Sequence, residues 1–238
     1  MSSLAGRVVL VAGGTGGLGR AVSLAFLEEG ANVAVTYRKA EELAAVEAGA
    51  GEDASRLDGR VVDVTQESAA REWIAAVRNH HGRVDALVNT VGAYAGGKKL
   101  WEDDPSVLNR MLDLNLKSGW ILARAIVPVM LAQGHGAIVN VASKAAFEHA
   151  AGNAAYAASK AAAVAMLDSL AEELRGTGVR ANSIVPSIID TEANRKAMPK
   201  ANFANWPKPE EIARVIVFLC SDDARLIHGA AIPVYGGS

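Results

Sequence analysis

Val8-Val9-Leu10-Val11-Ala12-Gly13-Gly14-Thr15-Gly16-Gly17-Leu18-Gly19 is the stretch on which the fold turns. Its first five residues are apolar and rich in β-branched valine, which predicts a short buried strand, and glycines end it. From Leu18 to Glu29 apolar residues return at helical spacing and stop at Gly30, so the order is strand, glycine-rich turn, helix. Gly13, Gly17 and Gly19 let the chain turn tightly and bring backbone N–H groups at a helix N-terminus within reach of a pyrophosphate. A bound dinucleotide is the functional reading, and a ligand-free glycine turn is the plainer one.

The alternation continues along the chain. Strands are expected near Asn32–Thr36, Arg60–Asp63, Ala86–Asn89, Ala137–Val141, Arg180–Val185 and Ala230–Val234. Helices are expected from about Glu41, over Glu67–Arg78, Val107–Ala132, Ala154–Arg175 and Glu210–Leu219. Strands separated by crossover helices pair in parallel, so the seven make an α/β, Rossmann-type doubly wound sheet, order 3-2-1-4-5-6-7, with helices on both faces. Pro128 lies inside the long helical pattern and is expected to kink it. There is no repeat, low-complexity tract or linker, so residues 1–238 read as one dinucleotide-binding and catalytic domain.

Composition narrows the function classes. The 238 residues are half hydrophobic, and 24 basic against 26 acidic side chains leave a net charge of -2. No basic stripe is present to collect phosphates, which argues against a nucleic-acid partner. A single cysteine, Cys220, makes no internal disulfide, and Met1-Ser2-Ser3-Leu4-Ala5-Gly6-Arg7 runs into the first strand without a signal-peptide core. The expectation is a cytoplasmic protein. Apolar stretches are broken by charge or proline short of the ~20 residues a bilayer requires, so no membrane span is expected. The five histidines lack metal-ligand spacing, and no metal is expected.

Tyr156 and Lys160 lie four residues apart at the start of a helix, on one face. A free phenol, with a pKa of ~10, is a poor base at neutral pH. A lysine charge and a cationic oxidised nicotinamide would favour the phenolate and move it toward the range where general acid–base catalysis is efficient.

The Gly-x-x-x-Gly-x-Gly spacing near the N-terminus, together with Tyr156-x-x-x-Lys160, resembles the short-chain dehydrogenase/reductase family, and the likeness extends over nearly the whole chain. It implies that Ser143, thirteen positions before Tyr156, hydrogen-bonds a substrate oxygen. It implies too that Asn115 interrupts a helix and anchors a water relay to Lys160, making Asn115, Ser143, Tyr156 and Lys160 the catalytic set. On the cofactor side it implies contacts from Gly13, Thr15, Gly17, Leu18 and Gly19. Asp63 and Val64 would meet the adenine, Asn89 and Gly92 would lie beneath the cofactor, and Pro186, Ile189 and Thr191 would lie beside the nicotinamide, with Tyr156 and Lys160 at the ribose. Thr90, Val91 and Ser187 depart from the family pattern. Plainer readings stand beside these: turn residue for Asp63, cap for Ser143, helix-bonded polar residue for Asn115.

The implied activity is hydride transfer between a nicotinamide and a small ketone or secondary alcohol, such as a 3-oxoacyl or other carbonyl compound. After the second strand an acid would hold the ribose hydroxyls of NAD(H), but the chain reads Thr36-Tyr37-Arg38-Lys39. Arg38 is available to a 2'-phosphate, so NADP(H) is expected over NAD(H), although Gly16 stands where many NADP-binding relatives carry a basic residue. Two alternatives remain. Asp190-Thr191-Glu192-Ala193-Asn194-Arg195-Lys196-Ala197-Met198-Pro199 resembles the lid segment of quinonoid dihydropteridine reductase, which keeps C=N reduction open, and a non-catalytic NADPH sensor is the other.

The resemblance also implies a substrate lid at about 190–207. Phe203 and Trp206 either line the pocket or pin the lid, and Phe147, His149 and Asn153 form the opposite wall. Pairing of the helices Val107–Ala132 and Ala154–Arg175 across subunits implies a homo-oligomer, and a second interface at Ala230–Val234 and Tyr235-Gly236-Gly237-Ser238 makes a homotetramer the expectation over a dimer. Trp73 and Trp120 are expected to be packing residues and Cys220 a small buried hydrophobe.

Overall fold

The computed structural model describes residues 4–237; Met1, Ser2, Ser3 and Ser238, which figured in the reading of the termini, lie outside the described residues. Seven strands form one all-parallel sheet in the order β3-β2-β1-β4-β5-β6-β7. They are β1 (Val8–Ala12), β2 (Asn32–Tyr37), β3 (Leu57–Val61), β4 (Ala86–Asn89), β5 (Gly136–Val141), β6 (Val179–Pro186) and β7 (Ala231–Val234). Between them run α1 (Gly17–Glu28), α2 (Ala40–Ala50), α3 (Glu67–His81), α4 (Pro105–Leu112), α5 (Ser118–Gln133), α6 (Ala154–Glu173), α7 (Glu192–Ala197) and α8 (Pro209–Cys220).

Every residue of β1 is buried, because side chains alternate between two covered faces. Val9 and Val11 pack with Phe26 of α1 and Ile212 and Ile216 of α8. Val8 and Leu10 pack on the other side with Trp73 of α3 and Leu122 and Met130 of α5. Each large side chain sealed this way contributes about 1.5–3 kcal/mol. The two layers hold the C-terminal ends of the strands in a row, where doubly wound sheets place their ligand crevice.

Three expectations need correction. β3 lies at Leu57–Val61 rather than Arg60–Asp63, after a 3-10 turn at Gly51–Arg56. It is one of the two edge strands, and its sequence Leu57-Asp58-Gly59-Arg60-Val61 lacks the apolar run of a strand covered on both faces. The long helix expected over Val107–Ala132 is divided by a π-helical turn, Asp113–Lys117, between α4 and α5, and Pro128 lies within α5. Trp73 is buried as expected, but Trp120 is 57% exposed on the outer side of α5.

The continuous helical stretch Pro105–Gln133 is long and apolar enough, by length and composition, to cross a membrane, although Arg110, Asp113, Lys117, Arg124 and Pro128 interrupt its apolar residues. Its apolarity has a packing cause: Ile121, Leu122, Ile126 and Met130 belong to the core between α3, α5 and the sheet.

Candidate functional site

The glycine turn is pinned from three sides. The Gly13 N–H, on a residue with φ +73°, donates to Thr36 Oγ1 at 2.8 Å. Thr90 Oγ1 donates to the carbonyl of Ala12 at 2.8 Å, with that of Gly13 at 3.1 Å. The threonine that departs from the family pattern thus ties the end of β4 to the turn. Thr191, at the base of the lid, places its methyl 2.9 Å from where a Cβ on Gly17 would stand, and a Cβ on Gly19 would collide with the Gly13 carbonyl. Substituents at these glycines would fill the cradle. The N-terminus of α1 has no side-chain cap, which leaves its first N–H groups facing the cradle for an anion. Thr15 and Leu18 are buried against it. These features fit the pyrophosphate of a dinucleotide.

Toward the adenosine end, Asp63 Oδ1 accepts from the Thr65 hydroxyl at 2.7 Å and the Thr65 N–H at 3.0 Å. Asp63 therefore makes the turn that the plainer reading supposed. These hydrogen bonds hold its carboxyl below the usual range, and the charge of Arg38 adds to them, which places Arg38 beside the same edge. Val64 is buried beneath. Glu42, on the first turn of α2, accepts from Thr15 Oγ1 at 3.1 Å. Sequence reasoning missed this contact because it searched for an acid only next to β2.

Under the cofactor position, Asn89 Nδ2 donates to Asn140 Oδ1 at 2.9 Å while its Oδ1 accepts from the Val91 N–H at 3.1 Å, which binds β4 to β5. On the far side, Pro186 ends β6 and Ser187 Oγ donates to the Tyr235 carbonyl at 2.8 Å. The serine that replaces the family glycine is thus used to fasten the C-terminal segment. Ile189 accepts, through its carbonyl, from Asn194 Nδ2 at 2.8 Å, and Thr191 caps α7.

Ser143 leaves the end of β5, and its hydroxyl hydrogen-bonds the phenol of Tyr156 on the first turn of α6. Burial pushes the Tyr156 phenol up, the Ser143 bond pulls it back, and Tyr94 pushes it up again. Lys160 is 95% buried, its Nζ donating to the Val141 carbonyl at 2.8 Å, and desolvation lowers its pKa to about 8. The Lys160 ammonium is thus held against the end of β5, one helical turn from Tyr156.

Asn115 lies in the π-helical turn, which breaks the regular i→i−4 ladder and turns its side chain inward. Its Oδ1 accepts from the Ala93 N–H at 2.8 Å, and its Nδ2 donates to the Ala93 carbonyl at 3.0 Å and to Ser159 Oγ at 2.9 Å. Asn115 and Lys160 converge on Gly92, where a Cβ would stand 2.9 Å from Asn115 Oδ1 and 3.2 Å from Lys160 Nζ.

Tyr94, absent from the sequence reading, meets Tyr156 edge to face with ring centroids 5.0 Å apart, and its hydroxyl donates to Asn153 Oδ1 at 2.9 Å. Asn153 thus holds part of the site wall. His149 instead lines a cavity of about 610 Å³ with Leu100, Trp101 and Ala154, Ala158 and Ala161 of α6, on a different helical face from Tyr156 and Lys160. Phe147 is exposed. In the lid, Trp206 is buried and packs its ring, tilted by 55° and with centroids 4.9 Å apart, on half-buried Phe203, which also receives the Arg195 guanidinium at 4.9 Å. Among the described residues no three His, Cys, Asp or Glu side chains form a metal cluster. Burial pushes the Cys220 thiol up to about 12.

This arrangement is that of a family of nucleotide-dependent redox enzymes. Residues 7–202 match the family model for short chain dehydrogenases, and the chain belongs to the short-chain dehydrogenase/reductase family. It is an oxidoreductase acting between carbonyl and alcohol with a nicotinamide cofactor. It is 33% identical to the 3-oxoacyl-(acyl-carrier-protein) reductase FabG of Thermotoga maritima over 98% of both chains. It is 36% identical to the D-threitol dehydrogenase of Mycolicibacterium smegmatis, over 98% of this chain and 93% of the relative. A short-chain dehydrogenase/reductase structure from Mycobacterium ulcerans superposes with a TM-score of 0.93 at 27% identity, covering 99% of this chain and 90% of that one. Similar structures include ElxO with NADP bound and an NAD+-bound xylitol dehydrogenase, with TM-scores of 0.91 and 0.90 at 26% and 27% identity. They match 97% and 98% of this chain, and 98% and 99% of theirs.

Proposed function

We propose that the chain is an NADP(H)-dependent carbonyl reductase or secondary-alcohol dehydrogenase for small substrates, with Asn115, Ser143, Tyr156 and Lys160 as its working residues. The observation that carries this reading is the hydrogen-bonded pair of Ser143 and Tyr156 hydroxyls beside Lys160, on the side of the sheet where the glycine cradle opens. Residues 1–238 act as one domain under a lid at about 190–207. The protein works in the cytoplasm as a homotetramer. Exposed Trp120 on α5 and the alanines of α6 that line the outer cavity support such an assembly, since small residues let helices approach closely.

Gly13, Thr15, Gly17, Leu18 and Gly19 hold the pyrophosphate, Asp63 and Val64 the adenine edge, and Arg38 the 2'-phosphate. Asn89, Gly92, Pro186, Ile189 and Thr191 surround the nicotinamide end. When bound, the nicotinamide supplies a hydride in reduction and takes one up in oxidation. Ser143 and Tyr156 hold the substrate oxygen between their hydroxyls and orient the carbonyl carbon. Tyr156 Oη gives its proton to that oxygen as the alcohol forms, and takes it back in the reverse direction. Lys160 stabilises the resulting tyrosinate and reaches the nicotinamide ribose. Asn115 fixes the loop at Ala93 and keeps a path for solvent protons to return to Tyr156. The raised phenol stays protonated at neutral pH, which suits it as the acid of a reduction.

A panel of ketones, β-ketoacyl thioesters and pterins, followed by absorbance of the reduced cofactor, tests the reading. Turnover of ketones or thioesters with NADPH is expected. Turnover confined to pterins would move the assignment to C=N reduction, and tight NADPH binding without turnover of any compound would make the protein a sensor.

A further inference from the structure

We propose that Glu42 is a cofactor-selecting residue, its carboxylate set at the rim of the adenosine ribose site so that it opposes a 2'-phosphate and accepts a 2'-hydroxyl. The inference rests on the NADP(H) reading and refines it. In a doubly wound fold the ribose of the adenosine half lies over the end of the second strand. Here the usual place for a discriminating acid is closed: Thr36 is buried, and its hydroxyl accepts the Gly13 N–H at 2.8 Å. α2 begins three residues after β2 ends, so its first turn folds back over the same rim.

From that turn Glu42 reaches the glycine turn, where its Oε2 accepts the one proton of the Thr15 hydroxyl at 3.1 Å. Its other oxygen stands 3.8 Å from Lys39 Nζ. Thr15 is 91% buried, whereas the Glu42 side chain is 39% exposed, so the carboxylate faces outward from a fixed donor. The rim therefore carries the cations Arg38 and Lys39 and the carboxylates of Glu41, Glu42 and Asp63, among which Glu42 is bonded to the glycine turn. An incoming phosphate gains the cations but meets the carboxylate and competes with it for the Thr15 proton. A ribose hydroxyl meets an acceptor. Glu42 accordingly reduces the preference that Arg38 creates. An acid in the first turn also favours the helix dipole of α2, but that role is indifferent to which cofactor is bound.

Dissociation constants of NADPH and NADH, measured by calorimetry at low ionic strength in wild type, Glu42→Gln, Glu42→Ala and Arg38→Ala, separate these roles. Both Glu42 variants are expected to raise the NADPH-to-NADH affinity ratio about fivefold or more, of the order of a partly exposed charge pair, mainly by tightening NADPH. A ratio within twofold of wild type in both variants would overturn the role of Glu42. The NADP(H) reading is scored separately: it fails if wild type binds NADH as tightly as NADPH and Arg38→Ala leaves both unchanged. That outcome does not alter how the Glu42 ratios are read.

Discussion

Lys160 and Tyr156 show how burial sets the protonation of a site. A lysine with a folded pKa of about 8 against an ordinary 10.5 is charged below pH 8 and loses its proton above it. Tyr156 is raised, so its phenol stays protonated across the same interval. For reduction the working form has a neutral phenol and a charged ammonium. kcat/KM for ketone reduction, which reports free-enzyme groups, is therefore expected to be level near neutrality and to fall about tenfold per pH unit well above pH 8. A profile that keeps rising through pH 9 would contradict the assignment of Lys160. The Tyr156-x-x-x-Lys160 pair was legible in the sequence because helical spacing alone puts both on one face. That the ammonium bonds the Val141 carbonyl, and that Tyr94 stands edge-on to Tyr156, was not. Both depend on which loop crosses which strand end, and no local spacing encodes that.

Among the elements, the buried strands were read to within a residue or two, since runs such as Val8–Ala12 are apolar on both faces. The edge strand Leu57–Val61 was misplaced because half of its surface is open and polar side chains are tolerated there. The π turn at Asp113–Lys117 was foreseen only through the family likeness, as periodicity does not register one extra residue per turn. In the lid, the structure divides two aromatics that the sequence left together. Trp206 is buried and pins the segment, while Phe203 is half-buried under Arg195. Trp206→Ala is expected to cost about 3–5 kcal/mol of stability, read from denaturant unfolding. Phe203→Ala should instead alter relative rates across the ketone panel by several-fold with little loss of stability. The lid is not the selector if those rates keep their order and ratios.

In the whole molecule, an all-parallel sheet brings the glycine cradle and the Ser–Tyr–Lys–Asn cluster to one side, where they serve one reaction. A homotetramer would cover exposed Trp101 and Trp120 and the alanine-lined cavity beside α6. Light scattering at micromolar concentration is expected to give a mass near four times 24.7 kDa; a monomer would remove the assembly from the account. Proton transfer by Tyr156 during nicotinamide-dependent reduction is put to the test by Tyr156→Phe, with turnover and NADPH dissociation constant measured on the same preparation. General acid catalysis contributes about 10²–10⁴-fold. Turnover is expected to fall by at least about 10²-fold with NADPH binding retained, whereas near-normal turnover in that variant would show that Tyr156 is not the acid.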